Sequence, residues 1–518
     1  MGGGVSRYIA RYVPAVLLTL LLLGPLLVLL VRWLSSPDEL TLLAFINTST
    51  LLLLGRSLLL SCVVALLASL MGTICGFLLY RLKFPFRGFY KLLLLLPLLV
   101  PPYIFAVAWK DGFQWLFGNS SAMYSEVGMI IVHTLVYFPL AMLITGTALS
   151  QIHSGLEEAG LMRVSFARML IKIVLPLIRP ALTISFLLIL IISLSDFSVP
   201  AFFGVKTFTT EIFTQFSAFY NHQLAISQSF ILVLLCLTLL LSENKYLSDA
   251  PFFSVHVKGS STKHYSVLRR KIFLHILLWI LLFAVLVLPI VMLFHQALSG
   301  REIFFSRAWE LLSPTIFQSA KLAFLGALLI SSISLWVAYM KERSRFPHLN
   351  TMFLLTFIIP STVFGVAVIK FYNQPATNFI YTTIIILLIT YVGRFGFIAA
   401  RIIGNGIKQI PGSLEEVARV IGIPPVKRFF SISIPLLLPS LFTAFVLSFV
   451  LCLGELGTTI MIYPPGTELM PVKIFTIGAN APLALTSSMI LISFGVTLFF
   501  ILVFFLVGKI IFNRFRYA

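Results

Sequence analysis

Residues Gln409–Pro439, QIPGSLEEVARVIGIPPVKRFFSISIPLLLP, decide the fold because a partial copy precedes them. Residues Gln151–Pro180 read QIHSGLEEAGLMRVSFARMLIKIVLPLIRP. Each stretch opens on Gln-Ile, carries Leu-Glu-Glu and closes on an apolar-Pro step leading into a long apolar run. In the later copy, Ser413 and Glu416 have capping-box spacing and predict the start of a short helix after the Pro411-Gly412 turn. Val417, Val420 and Ile421 give that helix an apolar stripe. Gly422 stops it, since glycine tolerates the left-handed turn of a helix end. Pro424-Pro425 hold the bend, and Lys427-Arg428 begin a second, basic helix. A single loop of this kind is an ordinary interfacial segment. Two copies argue for a duplicated membrane unit with a grip for another protein.

Hydrophobic residues make up 59% of the 518 positions and charged residues 10%. Soluble domains carry about a quarter charged residues, so the fold class is an all-α integral membrane protein. Twelve apolar runs are long enough to cross a core of about 30 Å: 12–34, 52–80, 89–109, 127–150, 181–203, 224–242, 271–297, 317–340, 350–369, 379–400, 438–460 and 487–508. With the N-terminus inside, cytoplasmic segments and the span ends that border them at Lys91 and Lys271 hold 27 of the 37 Lys and Arg, which places both termini in the cytoplasm. The net charge of +20 is therefore an orientation signal that also favours anionic lipid; nucleic acid is not an expected partner. Cys62, Cys75, Cys236 and Cys452 all fall in apolar runs and read as small buried hydrophobes. The first run is an uncleaved span, and the Gly2 and Ser6 match to a myristoylation pattern is chance.

Landmarks recur at a nearly constant offset. Val100–Ala108 matches Ile359–Ala367, Phe84-Pro85 matches Phe346-Pro347, Pro176 matches Pro435, and Ile212-Phe213-Thr214 matches Ile474-Phe475-Thr476. The expected domains are a first six-span half at 1–242, a cytoplasmic linker at 243–270 and a second six-span half at 271–518. Six is even, so the halves are parallel repeats about an axis along the membrane normal, which encloses a central path.

The later loop carries Glu416-Val417-Ala418, then Gly422, then Ile432-Ser433-Ile434-Pro435. This resembles the Glu-Ala-Ala, Gly, Ile-x-Leu-Pro signature of permease subunits of binding-protein-dependent ABC importers, with Val417 and Ile434 as mild departures. The resemblance implies coupling helices that dock two separate ATPase subunits, through Glu415, Glu416, Ala418, Gly422 and Pro435 in the second loop. Counted back from Pro176, the first loop supplies Glu157, Glu158 and Ala159, with Arg163 where Gly belongs. Counted forward from Gln151, Val164 takes that place. Neither register supplies the glycine, so the two docking sites are non-equivalent, with the second expected to be the more sensitive to substitution. The stretches Leu194–Phe197, Phe203–Ile212, Gly454–Thr459 and Pro464–Thr467 are similar to fused permeases of ferric iron importers and to thiamine and phosphonate relatives. The resemblance implies a bacterial inner-membrane importer permease, a periplasmic or lipoprotein substrate-binding protein as partner, and ferric iron as the leading substrate.

Asp196 and Glu455 are symmetry mates read as lying well inside spans five and eleven, whereas the other acids fall in loops or at span ends. A carboxylate in a span costs a few kcal/mol, so both face a wet interior. They line the pathway or its gate with Ser195, Gly454, Pro101 and Pro360, or they hold broken helix ends by hydrogen bonds; the residues leave both open. Pro101, Pro102 and Pro360 free backbone carbonyls and bend their helices. Arg394 is expected at the interface or on backbone. No metal ligands are assigned. There is no GxxxxGK[ST] loop, so the chain is not an enzyme, binds no cofactor and leaves ATP to partner subunits. The competing reading is a secondary transporter in which the two acids carry protons or cations; paired docking loops argue against it.

Overall fold

The computed structural model describes residues 2–34, 48–83, 85–152, 154–241, 265–266, 271–299, 304–344 and 348–516. The linker at 243–270, apart from Tyr265-Ser266, and the Phe84/Phe346-Pro347 landmark lie outside the described residues. Among those described, ten helices are long and apolar enough to cross a membrane, and two sharply bent pairs bring the number to twelve.

The first repeat contains α1 (Gly2–Leu34), α2 (Thr48–Arg81), the bent pair α3 (Arg87–Leu99) and α4 (Pro102–Phe117), then α5 (Glu126–Gln151). The loop helix α6 (Ser154–Leu161) follows, then α7 (Leu170–Ser195), two short helices α8 (Ser198–Phe202) and α9 (Phe208–Ser217), and α10 (His222–Leu241). The second repeat keeps the order: α11 (Ile272–Leu298), α12 (Phe304–Ser344), the bent pair α13 (His348–Ile358) and α14 (Ser361–Tyr372), and α15 (Ile385–Gln409). It continues with the loop helix α16 (Gly412–Val420), α17 (Ile434–Gly454), α18 (Thr459–Ile462), α19 (Met470–Gly478) and α20 (Leu483–Arg516). The fold is an all-α membrane protein of two parallel repeats, with a two-residue bridge, Leu82-Lys83 to Tyr265-Ser266, as its described strand pairing.

The prolines break the third span of each repeat outright. The α3–α4 pair bends by 97° and the α13–α14 pair by 112°. Pro101 and Pro360 sit at the helix starts with φ −54°, and their missing N–H groups cannot continue the preceding ladder. Pro176 and Pro435 are handled differently. Each follows a π-helical turn, Leu170–Val174 and Phe429–Ser433, which widens the helix where the proline ring would crowd the preceding carbonyl.

Within each repeat the core is built alike. The second helix packs on the helices either side of the loop: α2 on α5 and α7, α12 on α15 and α17. Small residues permit the approach; a Cβ on Gly72 would overlap the Phe138 carbonyl across the α2–α5 contact. The repeats are also intertwined. α1 leaves its own repeat to pack on α13 and α14, and α11 packs on α4. The two crossings are mirror solutions in side-chain size. Gly24 of α1 accepts the ring of Phe371, while Gly112 of α4 accepts Met292 of α11. Tyr372 also donates to the Leu21 carbonyl at 2.9 Å. Exposed apolar side chains such as Leu20, Leu27, Trp279, Phe499 and Phe505 lie on the outward faces of α1, α11 and α20, as a hydrocarbon solvent requires.

Candidate functional site

The two loop helices are clamped the same way. Arg81, the last residue of α2, forms an ion pair at 2.6 Å with Glu157 of α6, and both side chains are at most 1% exposed. Arg343, near the end of α12, pairs with Glu415 of α16 at 3.2 Å and donates to the Ile410 carbonyl at 3.0 Å. The Tyr339 hydroxyl adds a bond to Glu415 at 3.4 Å. These pairs set the register: Glu157 corresponds to Glu415, Glu158 to Glu416, and Gly160 to Ala418. Gly160 and Ala418 are both buried, and a Cβ on Gly160 would come within 2.5 Å of Ile173. Ala159, by contrast, is exposed, so the forward count from Gln151 is the structural one.

The missing glycine now has a physical reason. Gly422 has φ +84°, the Ile423 N–H bonds the Ala418 carbonyl, and the Gly422 N–H bonds the Arg419 carbonyl. That is a Schellman ending, which needs a left-handed residue. The first loop has one residue fewer between Gly160 and Pro176 than the second has between Ala418 and Pro435. Its helix closes with the N–H groups of Arg163 and Val164 both on the Gly160 carbonyl and no left-handed residue. The capping box expected at Ser413 and Glu416 does not form. The N-cap falls two residues earlier, on Pro411, with no side-chain cap, and the neighbouring Glu415 turns to Arg343 instead. Glu158, Arg163, Pro176, Glu416 and Gly422 lie on the exposed surface, and Pro435 is half-buried. Apolar side chains are exposed among them: Leu156 and Met162 in the first loop, Leu414, Val417, Val420 and Ile421 in the second.

Between the repeats lies a cavity of about 360 Å³ with mostly apolar walls, to which both repeats contribute. Asp196, Glu455, Ser195, Gly454 and Pro101 line it. Pro360 does not; it is buried at the break beside the wall residue Ser361. The expectation that the two acids lie well inside spans five and eleven is corrected. Both sit just past a helix end, at the C-caps of α7 and α17, in extended conformation. The chain breaks there because the carboxylates cap the next short helix. Asp196 accepts from the N–H groups of Ser198 (3.3 Å) and Val199 (3.1 Å). Glu455 accepts from those of Thr458 (2.8 Å) and Thr459 (2.9 Å). Negative charge at a helix N-terminus is stabilising, so these oxygens carry structural bonds while facing the cavity. Arg394 does the converse, donating to the Ile359 carbonyl at 2.6 Å, which the break at Pro360 freed.

The repeats meet at the same place. Gly454 packs on Pro101, where any Cβ would overlap the proline ring. On the other side Ser361, the residue after Pro360, donates to the Ser195 carbonyl at 3.4 Å. Two helix breaks thus interlock across the axis, beside the two acids.

Several partners escaped sequence reasoning. His133 is fully buried and bonds Asp196 at 2.9 Å, while Tyr391 bonds Thr459, which holds Glu455. Asp111, expected at a span end, is buried inside α4 beside Lys110 at 3.3 Å and bonds Ser487 of the other repeat. It was misplaced because α4 runs on to Phe117, past the apolar run that ended at 109. Arg81 and Arg343 could have been found, since they share the offset of the Phe84/Phe346 landmark. Among the described residues, no cluster of three or more His, Cys, Asp or Glu is arranged to hold a metal ion.

A family model described as the binding-protein-dependent transport system inner membrane component matches residues 68–244 and again residues 330–517. The chain is 26% identical over 420 residues to the Fe(3+)-transport system permease protein FbpB 2 of Haemophilus influenzae, covering 79% of this chain and 81% of that protein. It is 26% identical over 459 residues to the ferric transport system permease protein FbpB of Actinobacillus pleuropneumoniae, covering 80% and 65%. A protein named for 2-aminoethylphosphonate transport, the permease PhnV of Salmonella paratyphi A, is 31% identical over 150 residues, 29% of this chain and 56% of its own. With matched loop helices, a shared cavity and the family pattern present twice, this chain belongs to the inner membrane components of binding-protein-dependent transport systems.

Proposed function

We propose that the chain is the permease of an ATP-driven importer. It accepts substrate from an external binding protein and releases it to the cytoplasm through the cavity between the repeats. The observation that carries this reading is the pair of loop helices, each clamped to its repeat by an Arg–Glu pair and each presenting an apolar face outward. A clamped helix transmits force: a partner that moves α6 and α16 moves α2 and α12 with them. Two ATPase subunits seated on these faces draw the loops together on binding ATP. The interlock of Pro101 with Gly454 and Ser361 with Ser195 then parts, and the cavity opens outward. Asp196, Glu455 and Arg394 keep the broken helix ends intact through the cycle.

Ferric iron is the substrate best supported, because the relatives that align over about 80% of the chain carry that name; a phosphonate is the second reading, supported by the shorter 150-residue match. In this reading the membrane is a bacterial inner membrane and both termini are cytoplasmic. Reconstitution of this chain with an ABC ATPase and an exported binding protein from the same organism tests the proposal. Uptake of the ferric or phosphonate substrate should require both partners and hydrolysable ATP. Uptake driven by a proton gradient without ATP would overturn it.

A further inference from the structure

The outer face carries an ion pair that the two repeats hold with opposite polarity. In the first repeat Lys206 pairs with Glu211 at 3.2 Å; in the second Glu468 pairs with Lys473 at 2.6 Å. Lys206 and Glu468 occupy equivalent positions, as do Glu211 and Lys473. The shared frame is visible in the neighbouring bonds, where the Phe208 N–H meets Ser57 Oγ and the equivalent Met470 N–H meets Ser319 Oγ, both at 2.8 Å. Ser57 stands 24 residues along α2 from the clamp at Arg81, roughly 36 Å at the helical rise, so these pairs lie at the side of the membrane opposite the loop helices.

The accessible charge is inverted as well. Lys206 is 64% exposed while Glu211 is 13% exposed, held also by Gln215 at 2.7 Å. Glu468 is 60% exposed while Lys473 is 23% exposed. Each repeat therefore pins one end of its pair and offers the other: a cation over the first repeat, an anion over the second. A surface of two identical halves would accept a two-lobed partner equally in two orientations half a turn apart. Opposite signs at equivalent positions remove that degeneracy, because the wrong orientation sets like charges against each other.

We infer that Lys206 and Glu468 form a polarity key for the external binding protein, with an acidic side chain on the lobe over the first repeat and a basic one on the lobe over the second. The inference rests on the importer reading above. Its test uses the reconstituted complex and its exported binding protein, titrated while ATP hydrolysis is followed. K206E and E468K should each raise the half-maximal binding-protein concentration by about tenfold at low salt, with an unchanged maximal rate and a shift that shrinks as salt rises. The milder K206M and E468Q should shift it in the same direction by less, which separates lost charge from misfolding. Half-maximal concentrations within about twofold of wild type for K206E and E468K would overturn the key. So would shifts of opposite direction, which indicate a partner of one sign on both lobes. A wild-type complex indifferent to the binding protein would instead overturn the importer reading.

Discussion

Substituting Arg81→Met leaves the fully buried Glu157 carboxylate without the guanidinium at 2.6 Å. Removing one member of a buried pair costs about 3–5 kcal/mol. If that cost falls on the seating of α6, the loop undocks in favour of the free state by between about 100-fold and several thousand-fold. The equivalent change in the second repeat is milder. Glu415 is 17% exposed and keeps the Tyr339 hydroxyl, so Arg343→Met should cost about 1 kcal/mol. The assay is thermal unfolding of the purified complex together with binding-protein-stimulated ATP hydrolysis. R81M should abolish stimulation and lower the unfolding temperature; R343M should keep a measurable fraction of both. Arg81→Met combined with Glu157→Leu should recover thermal stability, since an apolar pair replaces a buried ionic one at little or no cost. R343M as damaging as R81M, or a double variant no more stable than R81M, would refute the reasoning.

Three further outcomes follow from named contacts. Gly422→Ala forces a side chain into φ +84° and should destabilise the second loop by about 1–2 kcal/mol, read as weakened ATPase coupling, whereas Gly422→Asn should be better tolerated. Asp196→Ala and Glu455→Ala each remove a helix cap worth about 0.5–2 kcal/mol, and the Asn and Gln variants should be milder; uptake by the Asp196→Asn/Glu455→Gln double variant at the wild-type rate would exclude a pathway or gate role. Gly454→Val drives a side chain into Pro101 and should hold the interlock apart, giving ATP hydrolysis that no longer depends on the binding protein.

The helix count and the two parallel repeats were legible because lipid demands long apolar runs and a duplication leaves fixed offsets. The loops were legible because Leu-Glu-Glu and a later apolar-Pro step occur in both, with Gly422 completing the pattern in the second. What stayed hidden depends on tertiary contact. Whether Asp196 ends a helix or sits inside one depends on whether its carboxylate outbids the continuing ladder, and an apolar run such as 181–203 looks the same either way. Arg81 and Arg343 share a landmark offset, but their anchoring roles are masked because basic residues at helix ends already have an explanation in orientation. His133 sits among mostly apolar neighbours and Asp111 beside Lys110 just past an apolar run, and neither setting gives a sign of a partner in a distant helix. The expected sensitivity of the second loop rests on its left-handed turn at Gly422, whereas the Arg81–Glu157 anchor of the first loop is the more deeply buried of the two.

The central claim is that α6 and α16 are where ATPase subunits take hold. Cysteine cross-linking tests it most directly, with Met162→Cys in the first loop and Val420→Cys in the second. Those side chains are 88% and 84% exposed, and neither is used to hold the fold. In the reconstituted complex each cysteine should cross-link to an ATPase subunit, and locking either should stop ATP-driven uptake. A complex that hydrolyses ATP and transports while neither position cross-links, or while both are locked, would contradict the account.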